Sequence, residues 1–430
     1  MKTIDNKDIK IAVVGLGYVG LPLACLFSNR YPTVGFDINA QRIDNLSSHI
    51  DQCHEVAPEV LRNALAGKLS ITSNISDIQS CNVYIVAVPT PVDRHHNPDL
   101  HPLLSASNLV GKVLKKNDIV IYESTVYPGV TEDVCIPELE KVSALKYNVD
   151  FYGGYSPERI NPGDKEHTVE TIRKITSGST PQVADFVDML YASVLKNGTY
   201  KASSIRVAEA AKVIENAQRD VNIAFVNEIA KIFNAMGIDT HEVLNAAATK
   251  WNFINLKPGL VGGHCIGIDP YYLMQAAQVY GVSPHVITSA RILNDSMGDY
   301  VANQVIRLMN KKGIVVKDAK ILILGFTFKE NCADIRNTRV IDIYSTLSTH
   351  TNNITIFDPV VSVDAVKKEY QIDIQIDNIE SLQHSFDAVV LAVSHNQFLS
   401  LPVRDFLRTP DGVVYDVKGI YDPSIVDGRL

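Results

Sequence analysis

Residues 9–20 are IKIAVVGLGYVG, and this stretch decides the fold. The apolar run Ile9–Gly15 is typical of a strand buried in a parallel sheet. A glycine-rich turn follows it, then the apolar, helix-like stretch Leu21–Phe27, and then a second strand, Thr33–Asp37. This order predicts the first strand–helix–strand unit of a doubly wound parallel sheet.

The glycine spacing in this unit predicts a dinucleotide site. Gly15, Gly17 and Gly20 form GxGxxG between a strand and a helix, and Asp37 lies 22 residues after Gly15. Glycines permit the tight turn and let a pyrophosphate approach the helix N-terminus, where N–H groups favour negative charge. Asp37 would accept from ribose hydroxyls and repel a 2′-phosphate, which predicts NAD rather than NADP. A tight turn without a ligand is the alternative. The predicted cofactor contacts here are Gly15, Gly17, Tyr18, Val19, Gly20, Asp37 and Arg42.

Strand candidates continue to about residue 155, and a helical region follows them. The strands are expected at Val83–Val88, Ile119–Tyr122 and Phe151–Tyr155. From about Ser203 to Met236 the chain is Ala-rich and Pro-free, with apolar residues at helical spacing. Such a length predicts a domain-joining or dimerising helix. Further helices are expected at Thr240–Ala248, Tyr271–Val279 and roughly His285–Lys311.

The strand pattern returns in the last third of the chain. Lys320–Gly325 is similar to the first strand and its glycine, and Ile354–Asp358 to the second strand and its aspartate. Ala388–Val393 and Val413–Asp416 complete a smaller set. We therefore predict two Rossmann-like α/β domains, residues 1–200 and 313–430, joined by a central helical domain, residues 201–312.

Composition excludes several classes of protein. The apolar share of 46% and the charged share of 20% are those of a globular protein. The net charge is −8 without a basic stripe, so we expect no nucleic-acid partner. The polar start of the chain shows no signal-peptide core, and no apolar run approaches the roughly 18–20 residues that span a bilayer. We expect a cytoplasmic protein without a membrane partner. The six cysteines form no CxxC pair, so no disulfide framework or metal site is expected.

One of these cysteines lies in a bed of glycines at residues 262–270, GGHCIGIDP. Glycines allow a backbone to approach a ligand closely. Cys265 near a nicotinamide would suggest oxidation through a covalent thiohemiacetal and thioester, beyond simple alcohol dehydrogenation.

Two further groups of polar residues have both a functional and an ordinary interpretation. Thr90, Ser124 and Thr125 follow strand ends, where ligands bind in open α/β sheets, but turn chemistry explains them about as well. Lys212 and Asn216 share a helix face, and such a pair can stabilise an oxyanion, although a solvated helix face would also carry them.

The sequence also offers candidate roles for two acids and for the basic residues near the C-terminus. Glu158, in a Pro-bounded loop, can hold a water or accept a proton, or can simply lie at the surface. Asp269 can orient a lysine, help to activate water, or cap a helix. Basic side chains in 326–329 and 334–339 suit phosphate binding. Two phosphate sites and one thiol imply a substrate that carries a diphosphate.

Taken together, the motifs resemble one family. GLGYVGLPLA, ESTVYPG, SPERINPGD, AEAAKVIEN, LVGGHCIGIDPYYL and LGFTFKENCADIRNTR are similar, in this order, to the nucleotide-sugar 6-dehydrogenases, that is, the UDP-glucose and GDP-mannose dehydrogenases. The resemblance covers nearly the whole chain. It implies oxidation of C6 of a nucleotide sugar to a carboxylate with two NAD⁺, and a homodimer formed through the central helices. It assigns NAD to residues 1–200, the catalytic cysteine to 201–312 and the UDP-sugar to 313–430.

The resemblance also implies roles for single residues. Cys265 would be the nucleophile, Lys212 and Asn216 the oxyanion stabilisers, and Asp269 an acid that works with the lysine on a water. Thr125 and Glu158 would hold the water, with Glu158 as the general base. Substrate contacts are expected from Glu158, Arg159, Lys212, Asn216, Lys257, Gly262, Lys329 and Lys418. Further cofactor contacts are expected from Thr90, Ser124, Thr125 and Arg336.

One departure narrows the substrate. UDP-glucose enzymes carry a second acid four residues after the first, and here that position is Pro162. With KWNF at Lys250–Phe253, the chain resembles the UDP-N-acetylhexosamine branch of capsule and O-antigen synthesis, and best fits UDP-N-acetylglucosamine. UDP-GalNAc, UDP-ManNAc and UDP-glucose stay open as substrates. A two-electron β-hydroxyacid dehydrogenase would need neither Cys265 nor residues 320–430. An NAD-sensing protein without catalysis would not need the whole set of polar residues.

Overall fold

The computed structural model of the protein describes residues 8–53, 55–93, 96–160, 168–263 and 266–430. The chain divides into two compact units. The first comprises Met1–Glu215 and Tyr271–Gly281, and the second comprises Asn216–Pro270 and Val282–Leu430.

The first unit contains an eight-stranded sheet. Its strands are β1 (Ile11–Val14), β2 (Thr33–Phe36), β3 (Leu69–Thr72), β4 (Val83–Val86), β5 (Ile119–Tyr122), β6 (Tyr152–Tyr155), β7 (Lys174–Gly178) and β8 (Thr199–Lys201). Their spatial order is β3-β2-β1-β4-β5-β6-β7-β8. Neighbouring strands are parallel, except that β6 and β7 are antiparallel.

Helices cover both faces of this sheet, which explains its apolar strands. They are α1 (Gly20–Ser28), α2 (Ala40–Ser47), α3 (Pro58–Ala66), α4 (His101–Gly111), α5 (Ile136–Ser143) and α6 (Pro181–Ala192). In β1, Ile11 and Val13 pack into one core, and Ala12 and Val14 pack into the core on the opposite face. A strand buried on both faces has no polar alternation, so it appears in the sequence as a continuous apolar run.

A helical region follows, led by a helix of 32 residues. Its members are α7 (Ile205–Met236), α8 (Thr240–Ala247), α9 (Asp269–Val279), α10 (His285–Asp295) and α11 (Met297–Lys311). The sequence pattern predicted one helix over His285–Lys311, but the structure ends α10 before Ser296. The Ser296 hydroxyl donates to the Leu293 carbonyl at 2.7 Å, which is typical of a serine that competes with helical hydrogen bonds.

The second unit contains a five-stranded parallel sheet. Its strands are β9 (Ile321–Leu324), β10 (Ile354–Phe357), β11 (Ala388–Leu391), β12 (Val413–Asp416) and β13 (Gly428–Arg429), in the order β10-β9-β11-β12-β13. Its helices include α12 (Val340–Ser348) and α13 (Val363–Tyr370).

The predicted fold class, two Rossmann-like sheets with a helical region between them in the chain, is confirmed. The sequence pattern did not predict β3, β7, β8 and β13. In the part of the chain that the structure describes, no helix is both long and apolar enough to span a membrane.

Candidate active site

The glycine turn after β1 has open space above its middle glycine. Gly15 has a φ of +92°, and a Cβ there would lie 2.9 Å from the Ala87 carbonyl oxygen. A Cβ on Gly20 would lie 1.8 Å from the Gly15 carbonyl oxygen, so α1 can begin here only with glycine. A Cβ on Gly17 would meet nothing within 4 Å. Protein packing therefore does not explain Gly17, and the space above it, beside the uncapped first turn of α1, suits an anionic group such as a pyrophosphate.

Asp37 follows β2 and lies beside this turn. Its Oδ2 accepts from the Leu16 N–H at 2.9 Å, and its Oδ1 accepts from the Asn39 N–H at 2.9 Å. The side chain is only half-buried, so the carboxylate also has room for ribose hydroxyls. Tyr18 is half-buried as well, whereas Val19 packs into the core and offers the turn only its backbone.

Arg42 is tied to the same turn by its own hydrogen bonds. Its Nε donates to the Leu16 carbonyl at 2.9 Å, and its Nη2 pairs with Asp51 Oδ1 at 2.7 Å. Its Nη1 is buried and has no hydrogen-bond partner among the described residues. Arg42 thus fixes the turn and keeps one donor unsatisfied.

Three predicted hydroxyl residues lie after the neighbouring strands β4 and β5. Ser124 donates to the Val88 carbonyl at 2.6 Å and so links the two strand-end loops. Thr90 and Thr125, in these loops, are both half-buried. The structure therefore places the hydroxyls of Thr90 and Thr125 at the edge of the sheet where α/β proteins bind ligands.

Glu158, which follows β6, is a buried carboxylate rather than a surface residue. It is 3% exposed. One carboxylate oxygen accepts from the Ile160 N–H, and the other, Oε2, has no partner among the described residues. Arg159 forms a two-point ion pair with Glu215 of α7, at 2.8 and 3.2 Å, and is thus held within its own unit. A buried carboxylate with an unsatisfied oxygen is the arrangement expected of a group that receives a proton from a ligand or water.

A charged cluster beneath Glu158 was not predicted from the sequence. Glu123, Lys174 and Tyr191 are fully buried, and Lys174 Nζ lies 2.6 Å from Glu123 Oε2. The Tyr191 hydroxyl donates to the other Glu123 oxygen. Burial raises the pKa of Glu123 to about 7; the Lys174 ammonium opposes this shift, and the Glu158 charge adds to it. The only signal in the sequence was an acid at the start of ESTVYPG.

A second buried acid holds the other end of this loop. Glu209 of α7 accepts from the Gly129 N–H at 2.6 Å and the Thr131 N–H at 2.9 Å. Burial raises the pKa of Glu209 to about 7, although these hydrogen bonds act against the shift. The loop that carries Thr125 is therefore fixed at both ends by carboxylates.

Lys212 and Asn216 lie one turn apart on α7. Lys212 is 4% exposed, so it does not belong to a solvated helix face. Asn216 Nδ2 donates to Asp269 Oδ2 at 2.5 Å. Asp269 begins α9 and is buried, although 53 residues separate it from Asn216 in the chain. The structure thus brings the predicted amide and acid into direct contact.

The glycine bed packs against the loop between β9 and α12. Gly263 has a φ of +80°, and a Cβ there would lie 2.7 Å from the Phe328 ring. A Cβ on Gly262 would lie 2.4 Å from the Asn337 carbonyl oxygen. Asn337 also donates through Nδ2 to the Gly263 carbonyl at 3.0 Å. Close backbone packing thus accounts for these glycines. The predicted nucleophile, Cys265, lies outside the described residues.

The predicted basic contacts of the second unit have different surroundings. Lys418 lines a cleft with Gly262 and Phe328, and its Nζ lies 3.9 Å from Glu330 Oε2. Lys329 is half-buried and Lys257 is exposed. Arg336 forms a two-point ion pair with Asp334, at 2.9 and 2.7 Å, so its guanidinium is held by its own loop.

Comparisons with known proteins agree along the whole chain. Three profiles of the UDP-glucose/GDP-mannose dehydrogenase family match it: the NAD binding domain at 9–195, the central domain at 206–296 and the UDP binding domain at 322–423. The chain is 54% identical to UDP-N-acetyl-D-glucosamine 6-dehydrogenase of Pseudomonas aeruginosa, over 99% of this chain and 100% of that protein. It is 52% identical to the Salmonella typhi protein of the same name, over 98% and 99%.

A solved structure extends the similarity to the fold. The UDP-D-ManNAc dehydrogenase from Pyrococcus horikoshii is 30% identical to this chain and matches it with a TM-score of 0.89, over 98% of each chain.

Proposed function

The chain belongs to the UDP-glucose/GDP-mannose dehydrogenase family, and on that premise we propose that it is an NAD-dependent UDP-N-acetyl-D-glucosamine 6-dehydrogenase. The enzyme would oxidise the C6 hydroxyl of the sugar to a carboxylate, a four-electron reaction. The choice of sugar rests on one observation. The chain is 54% and 52% identical, over nearly its whole length, to two proteins of that name. The product would be a cytoplasmic precursor of a capsule or O-antigen polysaccharide.

The residues around the first glycine turn fit NAD. The space above Gly17 and the uncapped start of α1 suit the pyrophosphate, and the half-buried Asp37 suits the ribose. The proposed contacts are Gly15, Gly17, Tyr18, Val19, Gly20, Asp37, Arg42, Thr90, Ser124, Thr125 and Arg336. When bound, NAD⁺ would supply the hydride acceptor at C6, with one NAD⁺ consumed in the step from alcohol to aldehyde and a second in the step from thiohemiacetal to thioester.

We assign the covalent step to Cys265. Its thiolate would add to the carbonyl carbon of the C6 aldehyde, which leaves negative charge on the oxygen. Lys212 and Asn216 would stabilise that charge, because a buried ammonium and an oriented amide N–H are strong donors in a site shielded from water. Asp269 supports this role because its hydrogen bond fixes the Asn216 amide. We also propose that Asp269 works with Lys212 on the water of the final step.

We assign the release of the acid to Glu158. Glu158 would take one proton from a water molecule held with Thr125, and the resulting hydroxide would add to the thioester carbonyl carbon. The C–S bond then breaks, Cys265 leaves as a thiolate, and the sugar is released as a carboxylic acid that loses its proton to solvent to give the carboxylate. The unsatisfied Oε2 of the buried Glu158 supports this role.

The nucleotide end of the substrate would bind to residues 313–430, with NAD at 1–200 and the catalytic cysteine within 201–312. Lysines suit the diphosphate, and the cleft beside Lys418 offers space for it. The proposed substrate contacts are Glu158, Arg159, Lys212, Asn216, Lys257, Gly262, Lys329 and Lys418.

We propose a homodimer formed through α7. Five large apolar side chains of this helix are between 47% and 63% exposed: Val207, Ile214, Phe225, Ile232 and Met236. At about 100° per residue they all lie within a narrow stripe on one face of the helix. A stripe of this kind fits a self-complementary interface. Sedimentation should give a dimer for the wild type and a monomer for Phe225→Glu; a wild-type monomer would contradict the proposal.

A substrate panel tests the proposed activity. We expect the highest kcat/KM for UDP-N-acetylglucosamine among UDP-GlcNAc, UDP-GalNAc, UDP-ManNAc and UDP-glucose, with a uronic acid as product. A higher kcat/KM for another of these sugars would show that UDP-N-acetylglucosamine is not the preferred substrate, but it would not contradict the assignment to the family. Pro162, which disfavours UDP-glucose, lies outside the described residues.

Cys265→Ser tests the proposed nucleophile. This variant should bind UDP-GlcNAc but form uronate at least about 1,000-fold more slowly, because a hydroxyl is a poorer nucleophile at neutral pH. Near-wild-type turnover would reject this nucleophile.

A further inference from the structure

Lys174 is a fully buried ammonium whose hydrogen bonds point toward the loop that carries Glu158. It lies in β7 with no exposed surface. Its Nζ lies 2.6 Å from Glu123 Oε2 and 3.0 Å from the Pro157 carbonyl oxygen. An ammonium is costly to bury unless it is paired and hydrogen-bonded, so its two contacts are what make this position tolerable.

The cluster around Lys174 joins four separate elements of the first unit. Glu123 follows β5, Pro157 follows β6, Lys174 belongs to β7, and Tyr191 belongs to α6. The Tyr191 ring centroid lies 5.6 Å from the ammonium, a cation–π distance, while its hydroxyl donates to Glu123. Hydrogen bonds and a cation–π contact thus tie the four elements together at this cluster.

Glu158 is attached to this cluster through its backbone. Its N–H donates to the Glu123 carbonyl oxygen at 3.3 Å, and the residue before it, Pro157, accepts from Lys174. The two carboxylates, Glu123 and Glu158, are both buried, and the Lys174 ammonium is paired with Glu123. Without that positive charge, the two carboxylates would repel each other in a region that water does not screen.

We propose that Lys174 is the positioning residue for Glu158. Through the Pro157 carbonyl it fixes the backbone immediately before the general base, and through Glu123 it offsets the negative charge beside that base. The inference rests on the proposed function, because it takes Glu158 as the base of thioester hydrolysis. It assigns Lys174 to that step and leaves both hydride transfers unaffected.

Lys174→Met tests this, because methionine nearly keeps the volume and loses both hydrogen bonds. With UDP-GlcNAc and excess NAD⁺, we expect the two hydride transfers to form NADH within about 3-fold of the wild-type rate. Uronate release should fall about 100-fold, the effect of a modest misplacement of a catalytic group, and the acyl-enzyme should accumulate in the mass spectrum of quenched samples. The acidic limb of the kcat profile should move to higher pH, because the Lys174 ammonium lowers the pKa of Glu123 and its loss leaves that carboxyl group, next to the base, protonated to higher pH. The control is Lys201→Met on the adjacent strand β8. It removes an exposed ion pair with Asp185 of α6 and should change none of these quantities.

The double variant Glu123→Gln/Lys174→Met separates two effects of losing Lys174. One is the loss of positioning, and the other is the destabilisation caused by the Glu123 carboxylate when it is buried without its partner. This double variant is neutral in the cluster but still lacks the hydrogen bond to Pro157, so we expect hydrolysis to stay at least about 10-fold slow. Wild-type hydrolysis in the double variant, or in Lys174→Met itself, would overturn the proposal. If Lys174→Met does not fold, the hydrolysis rate of the double variant tests the proposal without it. The affinity of the double variant for NAD then shows whether that variant is folded. A wild type that forms only one NADH per sugar would instead overturn the proposed function, independently of Lys174.

Discussion

The turns after β1 and β9 are built alike, but only the first is open to a ligand. Gly15 and Gly325 have φ of +92° and +89°. Each glycine N–H donates, at 2.8 Å, to the carbonyl of the last residue of the next strand. An aspartate follows each of those strands, Asp37 and Asp358, and accepts from the N–H after the glycine at 2.9 and 2.6 Å. The second turn therefore repeats the backbone of the first.

The two turns differ in what covers the carboxylate and in where the next helix begins. Asp37 is half-buried, whereas Asp358 is fully buried and its Oδ2 also lies 3.0 Å from His395 Nε2. Helix α1 starts at Gly20, directly after the first turn, but α12 starts only at Val340. A glycine turn thus offers a dinucleotide site only when a helix N-terminus follows it and the acid stays accessible. In the second unit the same turn is closed, and the loop 326–339 that follows it carries one of the proposed substrate contacts, Lys329.

The largest effect is expected when each of the two aspartates, Asp358 and Asp37, is replaced by alanine. Asp358→Ala should lower the free energy of unfolding by about 3–5 kcal/mol, because it leaves buried backbone N–H groups and His395 without their partner. Asp37→Ala should change it by less than about 1 kcal/mol, since a half-exposed site can rehydrate, yet should raise the Kd of NAD about 10-fold. Urea unfolding and NAD titration of both variants measure this. Equal losses of stability would show that the turns do not differ as described.

Substitution of the glycines should give a smaller contrast in the same direction. Gly325→Ala should destabilise the protein by about 1–3 kcal/mol, because its φ is positive and a Cβ would lie 2.5 Å from Val393 Cβ. Gly17→Ala should leave stability within about 0.5 kcal/mol of the wild type, since its Cβ meets open space. Its NAD affinity should fall at least about 10-fold, because a methyl group would occupy the space of the pyrophosphate. Unchanged NAD binding by Gly17→Ala would exclude this turn as the pyrophosphate site.

The smallest expected effect is the pH dependence of the closed turn. Burial raises the pKa of Asp358, but the hydrogen bond and charge of His395, with backbone N–H groups, outweigh it and hold this pKa below its ordinary value. The stability from Asp358 is therefore present above the unfolded pKa and is lost as the pH falls through the folded pKa. From about pH 5 to about pH 3 the wild type should lose more free energy of unfolding than Asp358→Asn. Parallel losses in urea titrations would show that this carboxylate is not stabilised by its partners.

The strands that the sequence predicted well are those buried on both faces. The prediction matches β5 and β12 to the residue, because both are fully buried and only the last residue of β12, Asp416, is charged. The missed β7 is KITSG, whose polar side chains have buried partners: Lys174 pairs with Glu123, Thr176 Oγ1 lies 2.7 Å from Asp188, and Ser177 donates to the Tyr155 carbonyl. No periodic apolar pattern marks such a strand, because its polar groups are satisfied by residues far away in the chain.

The same reason limits the prediction of the site. Motifs in the sequence were enough to name Glu158, Asn216 and Asp269. They did not predict that Asn216 contacts Asp269 or that Glu158 is buried. Glu123 and Lys174 are 51 residues apart, and neither has a local pattern that marks it as part of an ion pair. Motifs record which side chains the chemistry needs, whereas the groups that hold them depend on how strands that are distant in sequence pair in the sheet.

The measurement that tests the central claim most directly is the number of NADH molecules formed for each molecule of UDP-GlcNAc consumed. With limiting UDP-GlcNAc and excess NAD⁺, the account predicts two NADH and one uronic acid for each sugar. One NADH for each sugar, with an aldehyde or ketone released, would contradict it.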